Sequence, residues 1–374
     1  MPNEIDFEAE GLLKGTRGRA RQARRELLAE LASEGVSLEE LRQAVAEDRL
    51  ALLPVERELA GGDARYTANQ IAELSGIDPG LLDRDQRALG MALAQSDEIA
   101  YTEADLEAAR RVAALRSAGV PEEEIVEMAR VLGIAMSQVA AATRSMVGGA
   151  FAQRGDTERD LALRLRDVAR GLTPMLGESL AYILNLHLRE QLRHDAINAE
   201  QVAAGSVAAA AEMTVCFADL VGFTRLGEQL PAEELGTLSR RLWALAGEVT
   251  QAPTRLVKLI GDAAMLVGPE PAGVIEAALD LIEASEDEGE EFPVLRAGLA
   301  AGPAVARGGD YYGRPVNLAS RITAIARPGS VLASEAVRRA VGDNGYRWSF
   351  ARARRLKGIE GEVKLYRCRR AAAG

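Results

Sequence analysis

Thr214-Val-Cys-Phe-Ala-Asp-Leu-Val-Gly-Phe-Thr224 opens as a short apolar run in which Val215 and Phe217 supply the β-branched and aromatic character of a buried strand. Asp219 interrupts that run and is followed at once by Leu220, Val221 and Gly222. A carboxylate at the end of a core strand is costly unless a cation or a set of donors meets it. Gly222 permits a tight turn, and Thr224 suits the N-cap of a helix that runs to about Thr250. Strand, carboxylate, glycine turn and helix start, in that order, suit an anion with its counter-cation: amide N–H groups face phosphates while the aspartate holds a metal. The same residues also suit a strand-end aspartate that only caps a turn.

Downstream, strands and helices alternate. Leu256-Val-Lys-Leu-Ile-Gly-Asp-Ala-Ala-Met-Leu-Val267 has the pattern of a hairpin turning at Gly261 and Asp262. A helix over 273–284, an acidic loop over 286–291 and a strand over 295–305 follow. Asp310-Tyr-Tyr-Gly-Arg-Pro then leads into a helix over 316–325. A short strand over 330–333, a helix over 334–340 and closing strands over 346–350 and 363–367 complete the half.

Upstream, residues 204–211 form a small-residue linker, and residues 1–203 are patterned almost entirely as helix. One helix covers 17–34 and is closed by Gly35; Ser37-Leu-Glu-Glu then has the form of a capping box for a helix over 38–46. Residues 66–90 have the helix–glycine turn–helix spacing of a DNA-reading unit and resemble the opening helices of MerR-type winged modules. Asp83 and Asp85 beside Arg84 and Arg87 oppose phosphate binding, so the pair is expected to serve as a packing unit. Thr102 opens a helix to Ser117, Gly119 stops it, and Pro121 opens another that Gly133 interrupts. Gly148-Gly149 marks a joint, a helix covers 156–170, and from Pro174 the chain runs helically to about Ala203. Leu180, Leu184, His187, Gln191, His194 and Asn198 share a 3-4 spacing, a coiled-coil-like seam. His187 and His194 are the two histidines of the chain; they are either face residues of no consequence or a proton-sensitive contact.

The chain's 374 residues favour two or three domains. Its 56 acidic against 45 basic residues, a formal charge of −11, oppose sequence-independent nucleic-acid binding. The acidic N-terminus has no apolar segment of a signal peptide, and no apolar stretch approaches the roughly 18 residues of a spanning helix. Cys216 and Cys368 form neither a disulfide framework nor a metal spacing. A cytoplasmic protein without a membrane partner is expected.

Asp262 sits at a glycine turn between two apolar strands, as Asp219 sits at a strand end. Two such carboxylates at neighbouring strand ends suit divalent cations, and a metal pair can clamp attacking and leaving oxygens in phosphoryl transfer. Phe217-x-Asp219-Leu-Val-Gly-Phe-Thr224, Lys258-x-Ile-Gly-Asp262 and Asp310-(x6)-Asn317-x-x-x-Arg321 resemble the signature set of class III nucleotidyl cyclases across about residues 212–370. The preceding half resembles the helical regulatory domain of soluble, pH-responsive actinobacterial cyclases.

The resemblance implies two Mg²⁺ or Mn²⁺ ions held by Asp219, Asp262 and the Leu220 carbonyl, with the amides of Val221, Gly222, Phe223 and Thr224 around the β- and γ-phosphates. It implies that Lys258 and Asp310 read the purine edge. Lys donates to adenine N1 and Asp accepts from the N6 amine, which guanine meets with mismatched groups. Asn317 orients the ribose, Arg321 stabilises charge on the α-phosphate, and Lys357 meets the terminal phosphates. By the same resemblance the chain is a homodimer: Asp219 and Asp262 of one copy face Lys258, Asp310, Asn317 and Arg321 of the other.

The expected architecture is an all-α regulatory domain over 1–203, a linker over 204–211 and an α+β ferredoxin-like (βαββαβ) catalytic domain over 212–374, its helices on one face of the sheet. The expected function is an adenylyl cyclase with ATP as substrate. A nucleotide-binding transcriptional regulator and a non-catalytic ATP sensor are the alternatives.

Overall fold

The computed structural model describes residues 5–151, 153, 155–197, 210–289 and 291–371, and the chain divides into two compact units, Met1–Ile197 and Asn198–Gly374. The first unit contains α1 (Gly18–Ser33), α2 (Leu38–Ala46), α3 (Leu53–Ala60), α4 (Ala68–Ser75), α5 (Pro79–Ala88), α6 (Glu103–Ser117), α7 (Glu122–Phe151) and α8 (Glu158–Ile197). The helix starts follow local chemistry: the Ser37 hydroxyl accepts from the Glu40 amide at 3.2 Å, and Thr67 and Thr102 open complete capping boxes. Leu27, Leu28, Leu31 and Leu41 pack with Ala162 of α8, while Ile71, Leu81, Tyr101 and Leu106 form a second cluster. An isolated bridge between Tyr66 and Tyr101 is the β pairing among the described residues of this unit.

The second helix of the helix–turn–helix pair, α5, is a packing element. Leu81, Leu82 and Asp85 are buried, and Arg84 pairs with Glu122 at the start of α7. Burial without a charged partner pushes the Asp85 carboxyl above its ordinary range.

Three expected breaks are not breaks. Helix α7 runs through Gly133 and Gly148-Gly149, and α8 runs through Gly171 and Pro174. Gly133 marks a close approach, since a Cβ there would stand 2.6 Å from the Leu89 carbonyl oxygen at the end of α5. The first half of α8 is held on the unit by Arg24–Glu158, Arg159–Glu30 and Arg170–Glu58 ion pairs, which carry the helix past its two poor helix formers. Beyond Pro174, Tyr182, Leu184, Leu188 and Leu192 are exposed, as is His187. His194 lies on the α8 backbone, whereas Asn198 and the expected continuation to Ala203 lie outside the described residues.

The expectation that no stretch is long and apolar enough to span a membrane is also corrected. Within α7, Glu122–Val147 contains an 18-residue window that meets that condition by length and composition, with a mean hydropathy of 1.4. Apolar residues spaced by Ala, Gly and Ser, with few charges, produce this value.

The second unit contains β1 (Ala211–Leu220), α9 (Phe223–Leu226), α10 (Ala232–Val249), β2 (Arg255–Ile260), β3 (Ala263–Gly268), α11 (Pro271–Asp287) and β4 (Leu295–Arg307). It continues through β5 (Asp310–Tyr312), α12 (Arg314–Ile325), β6 (Val331–Ser334), α13 (Glu335–Val341), β7 (Tyr346–Arg355) and β8 (Glu362–Arg370). The sheet order is β2-β3-β1-β4-β6-β8-β7, with β5 on β4. The βαββαβ core therefore supplies β2-β3-β1-β4, and the later strands extend it past β4. The single helix expected from Thr224 to Thr250 is two helices: Pro231 cannot continue a helical ladder, so it starts α10 instead. Gly222, at φ +80°, caps α9, and Thr224 lies inside it.

Helices cover both faces of the sheet, not one. Along β1, Cys216, Ala218 and Leu220 meet the cluster built with α10 and α11, while Val215 and Phe217 meet Leu318, Ala319 and Ile322 of α12. A strand apolar on both faces requires cover on both. Gly298 of β4 sets how closely α12 sits, because a Cβ there would overlap the Thr323 amide. Thr323 Oγ1 also donates to the Phe217 carbonyl at 3.1 Å, which ties α12 to β1. Gly298→Ala is expected to destabilise this unit by about 1–3 kcal/mol through overpacking. A chemical-denaturation midpoint equal to that of the parent would show that the helix tolerates a methyl there.

Candidate active site

Antiparallel register places Asp219 of β1 opposite Ala263 of β3 on one side and Arg296 of β4 on the other. Asp262, in the β2–β3 turn, is drawn to the same strand end by the bond from the Leu220 amide to its carbonyl at 3.1 Å. The Arg296 guanidinium donates to Asp219 Oδ2 through Nη2 at 2.6 Å and Nε at 3.0 Å, and its Nη1 donates to the Ala324 carbonyl at 3.0 Å. The Asp219 and Asp262 carboxyls are near enough for the charge of one to act on the other. Burial, and then the Asp219 charge, push the Asp262 carboxyl above its ordinary range, with Arg296 opposing them.

That arrangement fits a divalent cation. Two carboxylates facing one guanidinium are left with excess negative charge, and their repulsion drives one toward the neutral acid; an added cation lets both stay ionised. Among the described residues no cluster of three or more His, Cys, Asp or Glu forms a metal cage. The chain can thus supply Asp219, Asp262 and a backbone carbonyl such as that of Leu220, which leaves room for water and phosphate oxygens.

The amides proposed to hold phosphate are not all alike. Val221 N–H donates to the Val294 carbonyl at 2.9 Å and is already committed. Gly222, Phe223 and Thr224 are at the start of α9, where amides lack intrahelical acceptors.

A second cluster joins Lys258 to Asp310. Lys258 follows a register irregularity in β2, Asp310 opens β5, and the two side chains form an ion pair. Asp310 Oδ1 also accepts from the Tyr311 amide at 2.8 Å, which fixes the carboxylate plane. The pair is half-exposed, so its groups remain available to a ligand edge.

Asn317 and Arg321 lie one helical turn apart on the exposed side of α12, opposite the buried Leu318, Ala319 and Ile322. Lys357 is exposed in the turn that joins β7 to β8. Among the described residues, none of these three is hydrogen-bonded or ion-paired to either cluster within one chain. Arg296 escapes sequence reasoning. The available signal was the unpartnered Asp219, but its partner comes from a strand almost eighty positions later, through sheet register.

Comparison with known proteins gives two family models in tandem. Residues 5–192 match an adenylate cyclase regulatory domain, and residues 206–369 match the adenylate and guanylate cyclase catalytic domain. A pH-sensitive adenylate cyclase of Mycobacterium tuberculosis is 42% identical, over 98% of this chain and 93% of the relative. An adenylate cyclase of Streptomyces griseus is 36% identical over 76% of this chain and 70% of its own length. One of Streptomyces coelicolor is 35% identical over 78% and 75%.

Proposed function

The chain belongs to the adenylate and guanylate cyclase family and is an adenylate cyclase, and from that premise we propose that it forms 3′,5′-cyclic AMP and pyrophosphate at sites shared by two copies, with two divalent cations at each. In this reading residues 1–203 regulate, 204–211 link and 212–374 catalyse. The observation that carries it is the convergence of Asp219 and Asp262 at one strand end, charged in a way that a cation relieves. Asp219, Asp262 and the Leu220 carbonyl would hold Mg²⁺ or Mn²⁺, which supplies charge for the developing oxyanions and the departing pyrophosphate.

The outward placement of Asn317 and Arg321 on α12 supports sharing, because side chains exposed on that face are free to meet a second copy. Asn317 orients the ribose and the forked Arg321 guanidinium meets the α-phosphate. Lys357 meets the terminal phosphates, together with the amides of Gly222, Phe223 and Thr224. The direct test is product analysis: full-length protein with ATP and Mg²⁺ or Mn²⁺ should release equimolar cyclic AMP and pyrophosphate. Saturable ATP binding without either product would favour a non-catalytic sensor.

Lys258 and Asp310 read the base. Their contact in the free chain sets a donor beside an acceptor, the order that adenine N1 and N6 require and guanine N1–H and O6 do not. Lys258→Glu with Asp310→Cys is expected to abolish the ATP preference, measured as the ratio of kcat/KM for ATP and GTP. An unchanged ratio would remove both residues from base reading.

The pH sensitivity named for the Mycobacterium tuberculosis relative directs attention to titratable groups of the first unit. His187 is exposed on α8, and His194 lies one heptad further along the same helix. The two histidines are proposed to make cyclase activity respond to pH. The His187→Ala/His194→Ala variant should then lose the activity–pH response of the parent; retention of the full response would exclude the histidines. Asp85 is the second candidate because it is buried without an ionic partner. Its folded pKa is raised, so the destabilisation is fully present above that pKa and disappears as pH falls below the unfolded value. Asp85→Asn should therefore raise the thermal midpoint at pH 7, and the advantage over the parent should shrink as pH falls toward the carboxylate range.

A further inference from the structure

On the α12 face of the sheet, at its β7–β8 edge, lies a cavity of about 310 Å³ into which Arg327, Arg352, Arg354 and Arg367 converge. Register explains the convergence. Arg352 is opposite Leu365, Arg354 opposite Val363 and Ser349 opposite Arg367, and Leu365 and Val363 belong to the core beneath α12. Cross-strand partners share a face, so three of the guanidiniums rise from one patch of sheet. Arg327 enters from the loop that follows α12.

No carboxylate lines this cavity, and among the described residues none of the four arginines makes an ion pair. The contrast with Arg370 on the same strand is direct, since Glu276, Asp280 and Glu283 all meet it. Four uncompensated guanidiniums are also out of character for a chain of net charge −11. Like charges held together repel, and a bound anion removes that repulsion. The cavity floor is apolar, formed by Ile325, Leu332 and Leu365. None of Asp219, Asp262, Lys258, Asp310, Asn317, Arg321 or Lys357 contributes to the lining.

We propose that this arginine cavity is a second ligand site, separate from the candidate active site, that binds a small phosphate-bearing molecule carrying at least two negative charges, for which ADP serves as the probe. The guanidinium forks take the phosphate oxygens, as their planar donor pairs are shaped to do. A cavity of this size accommodates a small molecule, not a helix or strand of a protein partner.

The test is isothermal titration of ADP into the full-length protein in EDTA at 0.15 M salt. The parent should bind saturably with a Kd below about 1 mM. Arg352→Gln/Arg354→Gln should weaken binding at least tenfold, while Arg321→Ala should leave it within twofold. Loss in Arg321→Ala with retention in the glutamine variant would put ADP in the catalytic site and overturn the proposal, as would equal loss in both. Absence of saturable binding to the parent would overturn it as well. Should the glutamine variant fail to fold, Arg352→Lys/Arg354→Lys preserves the charges but not the forks. Severalfold weaker binding is expected from it, and parental affinity in that variant would refute recognition by guanidinium pairs. Because the measurement involves no turnover, its failure leaves the cyclase reading untouched.

Discussion

Asp262→Ala is expected to lower cyclic AMP formation by about 100-fold or more, and Asp219→Ala to do the same, because a site with two protein carboxylates cannot lose one and still hold its cations. The two substitutions should differ in what remains. Removing Asp219 leaves the Arg296 guanidinium without its strongest acceptor next to Asp262, so a neutral or cationic pocket replaces an anionic one. Removing Asp262 leaves the Asp219–Arg296 pair intact, a closed ion pair with little attraction for a cation. Raising the metal concentration should therefore recover little activity in either case. An active Asp262→Ala enzyme at ordinary metal concentration would show that the cations lie elsewhere. Thermal midpoints should not fall in parallel with activity, since these two carboxylates repel each other in the metal-free chain.

Mixing two inactive variants, Asp262→Ala and Arg321→Ala, is expected to restore activity. In a shared-site homodimer the mixed pair has one site with both lesions and one with neither. Random exchange at equal concentrations makes half of the dimers mixed, so the recovered rate should approach about a quarter of the parental rate. The measurement requires a check that subunits exchange, for which two distinguishable tags suffice. If exchange occurs and the rate stays at the level of the separate variants, each chain must build its site alone. That outcome would require α12 to turn its exposed face, with Asn317 and Arg321, toward its own Asp219, against the packing of Leu318, Ala319 and Ile322.

Much of the catalytic half was legible in sequence because its signals are local. The apolar run from Val215 to Phe217 announces β1, Gly261-Asp262 announces the β2–β3 hairpin, and the Asn317–Arg321 spacing announces a common helix face. What could not be seen depends on contacts between distant segments. Arg296 meets Asp219 only through strand register, whereas Lys258 and Asp310, joined in sequence only by the family resemblance, meet once β5 folds back on β4. The helical half shows the opposite error. Gly133, Gly171 and Pro174 look like punctuation locally, but a glycine at a helix crossing and ion pairs along a helix flank override propensity. Pro231 was punctuation in fact, and overlooking it merged α9 with α10.

The missing methyl at Gly298 has a consequence for how rate can be adjusted. With α12 seated on β4 and tied to β1 through Thr323, Asn317 and Arg321 on that helix cannot drift against the carboxylate cluster of the same copy. If the active site is shared between two copies, each catalytic unit is one jaw of a vice, stiff in itself and useful only in its setting against the other. In the shared-site reading, control acts on the gap between jaws. Such control would scale kcat for ATP and for an analogue such as 2′-deoxy-ATP by the same factor, leaving discrimination between them unchanged.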